Sequence, residues 1–107
     1  MIKRDITKIS QPGANPAACV VEETLEYYEV TQARAAAAMK MNASYLNEIL
    51  KNKKRVSAEF ALRFQHCFSV PADYLIRLQA THDFQKAYAA KDSSIGAEVE
   101  CLVQPAA

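Results

Sequence analysis

Apolar residues recur along most of this chain at intervals of three and four, with polar residues between them, and that spacing predicts helices. Val21, Leu25 and Tyr28 share one face of a segment running from 15 to about 28, and Glu22, Glu23, Glu26 and Glu29 lie mostly on the other. Asn15-Pro16 opens it, with Asn as the cap and Pro at the first helical position. Thr31 is placed to cap a second helix to about 39, Asn42 a third to about 51, and Ser57 a fourth whose apolar members are Phe60, Leu62, Phe64 and Phe68. Val70-Pro71 ends the fourth, because proline disfavours a helical residue before it. A fifth helix starts near Pro71 and reaches about Ala90, where Asp92-Ser-Ser-Ile-Gly96 reads as a break.

Two stretches lack the helical period. Residues 1–14 end in Pro-Gly-Ala and read as a flexible arm. In the tail, Val99, Cys101 and Val103 alternate with Glu98, Glu100 and Gln104. That period of two leaves room for a short C-terminal strand over 98–103. The expectation is therefore an all-α domain of five helices over 15–91, an arm before it and a tail over 92–107.

Composition narrows the class. The chain has 107 residues, 50% of them hydrophobic, with two Gly and four Pro. This suffices for one small domain with a core, built of helices with short connections. Cys19, Cys67 and Cys101 are odd in number and lack CxxC spacing, so they read as reduced thiols in the cytoplasm, two of them buried. No apolar run reaches transmembrane length. Net charge is +1, but residues 40–63 carry Lys40, Lys51, Lys53, Lys54, Arg55 and Arg63 against Glu48 and Glu59 alone. One short central block is basic on a nearly neutral protein.

That block adjoins a constellation with a function. In residues 31–49 the first helix is nearly all alanine, and a short break at Asn42 precedes the second. Two short helices that cross near perpendicular need small side chains where the backbones touch. This arrangement reads as a helix-turn-helix with Ala36 at the crossing and Ala33 and Ala37 beside it. Ala43, Ser44, Tyr45 and Asn47 would then lie on the outer face near the start of the second helix, where such helices read base edges in the major groove. Lys51, Lys53, Lys54 and Arg55 follow as phosphate contacts. Gln32, Arg34 and the amides at the start of the alanine helix would hold another phosphate.

At this point the residues resemble a known family. "NP" at 15–16, "TQARAA" at 31–36, "SYLNEILKNKKRVS" at 44–57, "ALRF" at 61–64 and "YLIRLQATHDFQKA" at 74–87 are similar to the HigA-type antitoxins of the Xre (lambda-repressor-like) helix-turn-helix family. The similarity covers about 15–90. It implies a five-helix lambda-repressor-like fold and a dimeric repressor of its own operon. It further implies neutralisation of a RelE-like (HigB-like) mRNA endonuclease toxin by direct binding. The chain departs from the family pattern in having Asn-Pro-Ala-Ala at 15–18 instead of His-Pro-Gly-Glu. It has Glu29 and Lys40 where the family has Gly, and Leu75 in place of a Trp. A left-handed residue at Lys40 costs roughly 1 kcal/mol against Gly.

The partners expected are thus palindromic operator DNA, a second copy and a toxin. The fifth helix has too wide an apolar arc for one stripe, so Ile76, Ala80 and Phe84 are expected at a homodimer interface, joined by Val99, Cys101 and Val103 if the tail strand pairs across it or with the arm. Glu22, Glu23 and Glu26 form an acidic row suited to a basic toxin. Neither a nucleophile with a base nor a metal-ligand spacing is present, since His66 and Cys67 are adjacent and His82 lacks ligands one turn away. No enzyme, cofactor, metal, membrane or small-molecule substrate is therefore expected. A stand-alone or phage-type repressor without a toxin is the other reading of the same residues.

Overall fold

The structure, a computed structural model, describes residues 14–103. It contains five helices: α1 (Pro16–Tyr27), α2 (Gln32–Ala38), α3 (Ala43–Leu50), α4 (Ala58–Phe68) and α5 (Ala72–Glu98). Four begin as expected from their caps. Asn15 accepts from the Ala17 amide at 3.0 Å, Thr31 from Arg34 at 3.1 Å, Asn42 from Ser44 at 2.7 Å and Ser57 from Phe60 at 3.1 Å. Each bond satisfies an amide that has no partner within its own helix. α5 has no side-chain cap of its own; instead Gln65, on α4, accepts from the Ala72 amide at 2.8 Å.

The helix ends are less usual. Glu29, Lys40, Asn52 and Ser69 all have positive φ, between 54° and 60°. After α1, α2 and α3 the left-handed residue allows a pair of closing bonds. Glu29 and Val30 reach the carbonyls of Glu26 and Leu25, Lys40 and Met41 those of Ala37 and Ala36, and Asn52 and Lys53 those of Ile49 and Glu48, at 2.8–3.2 Å. This paired closure normally uses Gly. Here Val30 and Met41 pack against the core just after the turn. Their burial, with the two bonds, offsets the roughly 1–2 kcal/mol that a side chain costs in this conformation.

The core is centred on Val21, Leu46, Ile49, Val56, Phe60, Phe64 and Leu75. Phe60 and Phe64 stack at 5.8 Å between ring centroids, and Phe64 and Phe68 at 4.8 Å. α5 packs on α1 and α4, α1 also on α3, and α2 on α3. Leu62, counted among the apolar members of α4, is 51% exposed. Cys19 and Cys67 are only half-buried, Cys101 is exposed, and none of the three is in a disulfide.

The tail differs from its sequence pattern. α5 runs through the Asp92–Gly96 break to Glu98, 27 residues in all. The Ser94 hydroxyl turns back onto the Lys91 carbonyl at 3.1 Å, so the serine does not interrupt the backbone ladder. No strand forms among the described residues, and Val99, Cys101 and Val103 are exposed after the helix end. A period-two segment needs a neighbouring strand to hold it, and among the described residues none lies beside this one. The arm, apart from Ala14, and residues 104–107 fall outside the described residues.

Candidate nucleic-acid interface

α2 and α3 form the expected pair. Ala35 and Ala36 are 0% and 2% exposed at the contact, while Ala33 and Ala37 stay on the surface. The turn between them is held from outside by a residue that sequence reasoning counted only as charge. Arg63, on α4, donates to the Met39 carbonyl at 2.9 Å and to that of Lys40 at 3.4 Å. A cation at a helix C-terminus also faces the negative end of its dipole. No local signal marks Arg63 for this, because its partners lie more than twenty residues away.

The outer face of α3 presents Ala43 and Ser44 fully, and Tyr45, Asn47 and Glu48 in part. The Asn47 amide donates to Gln32 Oε1 at 3.1 Å across the two helices. That bond orients both side chains. Asn47 keeps its carbonyl oxygen and one N–H for a ligand, and Gln32 keeps its amide donors at the start of α2. The residue chosen for base reading and the one chosen for phosphate are therefore one unit. Arg34 is exposed one turn into α2.

The basic loop after α3 is divided. Lys51, Lys53 and Lys54 are exposed. Arg55 is exposed too, and it has a partner within the chain. Its guanidinium forms a salt bridge to Asp83 on α5, with Nε donating to Oδ2 at 2.9 Å. The Arg55 bond holds the Asp83 carboxyl below the usual aspartate value, and Asp83 in turn raises the guanidinium. Arg55 is thus also tied to α5, by a carboxylate that only the fold brings near.

The acidic row also splits. Glu26 and Glu29 are exposed and Glu22 is half-buried, but Glu23 is only 4% exposed. α1 is covered by both α3 and α5, so more than one stripe of it is buried and Glu23 falls inside. The rest of the row borders an open groove that continues past Thr31, Gln32, Asn47 and Lys51. On α5, Ala80 and Phe84 are exposed and Ile76 is half-buried. Among the described residues, no three His, Cys, Asp or Glu side chains are placed to share a metal, and no helix is long and apolar enough to cross a membrane.

No protein-family model and no curated protein matches the sequence. Solved structures do match. The antitoxin HigA of Pseudomonas aeruginosa, solved with the higBA promoter, is 28% identical, with a TM-score of 0.77 over 86% of this chain and 100% of its own. The chain has the HigA fold. The antitoxin GraA matches this HigA-like chain with a TM-score of 0.78 and 25% identity over 87% of it and 100% of GraA. PA4674 of P. aeruginosa, solved in complex with its 18 bp operator DNA, is 29% identical, with a TM-score of 0.73 over 84% of this chain and 95% of its own. The resemblance read from residues 15–90 thus holds in three dimensions, and the all-α helix-turn-helix class with it.

Proposed function

We propose that this HigA-like chain is a sequence-specific DNA-binding antitoxin that represses its own operon. The observation that carries the reading is the exposed start of α3, where Asn47 is oriented by Gln32. Two of the similar structures were solved on promoter or operator DNA. Ala43, Ser44, Tyr45 and Asn47 enter the major groove; Asn47 and Ser44 hydrogen-bond to base edges, and Ala43 and Tyr45 give apolar contact to a thymine methyl. Gln32, Arg34, Lys51, Lys53 and Lys54 hold the flanking phosphates. Two copies joined through α5 read an inverted repeat whose half-sites are about one helical turn apart. The chain acts by binding, in the cytoplasm, and neutralises a RelE-like toxin by direct contact. The half-buried Glu22 and the exposed Glu26 suit the surface of a basic RNA-cleaving partner.

Titration of the full chain against the DNA upstream of its own gene tests this. Asn47→Ala should relax preference at particular base pairs by about 1–3 kcal/mol. Lys53→Ala should weaken binding to every sequence and lower the salt slope by about one. An Asn47→Ala protein with unchanged operator preference would overturn the groove assignment. For the toxin, loss of protection on reversing Glu22 and Glu26 supports the acidic surface, and full protection removes it.

A further inference from the structure

Gln79 is a polar side chain only 2% exposed, on the buried stripe of α5 with Ala72, Leu75 and His82. Its Oε1 accepts from the Val56 amide and from Asn15 Nδ2, both at 2.9 Å. Its Nε2 donates to Asp83 Oδ1 at 2.9 Å. The other oxygen of that carboxylate accepts from Arg55, and Asn15 Nδ2 also donates to Asn52 Oδ1 at 3.2 Å. Three residues of one loop, Asn52, Arg55 and Val56, are therefore tied to a single relay centred on Gln79. Lys53 and Lys54 lie between those ties and are exposed, and their amides both point at the Glu48 carbonyl, at 2.8 and 3.3 Å.

A buried amide is costly unless its bonds are made, and Gln79 makes bonds at both ends. All of them go to the loop or to the α1 cap, directly or through Asp83. A loop held on both sides of its lysines meets phosphates already shaped, without first losing backbone freedom. We infer that Gln79 is a positioning residue for DNA: through Val56, Asn15 and Asp83 it sets the basic loop so that Lys53 and Lys54 engage phosphates together. This rests on the DNA-binding reading above.

The test uses the full chain, its operator and a series of salt concentrations. Gln79→Met keeps size and net charge and removes both ends of the relay. Gln79→Glu combined with Asp83→Asn also keeps the net charge and exchanges donor for acceptor. The new carboxylate still accepts from Asn15 and Val56, and the new amide donates to it. Gln79→Met should lose about tenfold in affinity and about two from the log–log salt slope, one for each lysine, at roughly 0.9 per phosphate. The exchange variant should keep both. A merely structural role lowers the folded fraction and shifts affinity equally at every salt concentration, leaving the slope alone. Should Gln79→Met fail to fold, Gln79→Glu alone takes its place, since it sets two carboxylates face to face; the slope should fall and then return with Asp83→Asn. A wild-type slope in the broken variant, or a reduced slope in the exchange variant, overturns the inference while DNA binding stands. No salt-dependent DNA binding by the wild-type chain overturns both.

Discussion

From Ala72 to His82, α5 buries Ala72, Leu75, Gln79 and His82 against the domain; from Phe84 to Glu98 it buries no residue. The second part is not polar. Phe84, Tyr88 and Ile95 are 66%, 59% and 49% exposed, with the Phe84 and Tyr88 rings 5.8 Å apart. At about 100° per residue, Ala80, Phe84, Tyr88 and Ile95 form one stripe, opposite the buried one. At about 1.5 Å per residue, α5 is long enough to account for most of the 53 Å long axis of the chain. One helix thus carries two apolar faces, of which the described residues cover only the first. The difference teaches that one helix can be divided between a half that holds the domain together and a half whose apolar side chains contribute nothing to its core.

The largest expected effect tests the covered half. Phe64→Ala, in the Phe60–Phe68 ring stack, should cost about 3–5 kcal/mol, read by denaturant unfolding; a loss near zero would mean the core is not where α5 docks. Next, Phe84→Ala with Tyr88→Ala should leave the unfolding of the isolated chain nearly unchanged. Self-association should weaken at least about a hundredfold, from about 1.5–3 kcal/mol per aromatic side chain removed from water. Sedimentation at several concentrations decides it, and an unchanged association state would break the comparison. The smallest effect concerns the projecting end. Gly96 is helical and a methyl group there meets nothing within 4 Å. Gly96→Ala should stabilise the local helix by roughly 0.5–1 kcal/mol, seen as slower amide exchange over 90–98, while the melting of the core stays put.

The helix starts were legible because capping is local: Asn15, Thr31, Asn42 and Ser57 each bond an amide two or three residues on. The small residues at the crossing and the exposed start of α3 were legible for a similar reason, since both follow from spacing along two short helices. The left-handed positions at Glu29 and Lys40 were legible only through resemblance, as places where relatives have Gly. Composition gives no hint of them, because the closing bonds and the burial of Val30 and Met41 outweigh the side-chain penalty. The α5 extension was misread because Ser and Gly only weaken a helix, and continuing one already nucleated is easy.

By itself, then, the sequence determined the helices, their caps, the helix-turn-helix and the basic loop, all of which depend on neighbours within a turn or two. Only the tertiary structure decided what those groups are engaged with. It paired Arg55 with Asp83, placed Glu23 inside, set Arg63 on the carbonyls of the turn after α2 and gathered the loop onto Gln79. Those pairings join residues 23 to 64 positions apart. The pairings with Gln79 and Asp83 exist only once α5 has packed against α1 and α4, because a hydrogen bond is made by position in space and not by distance along the chain.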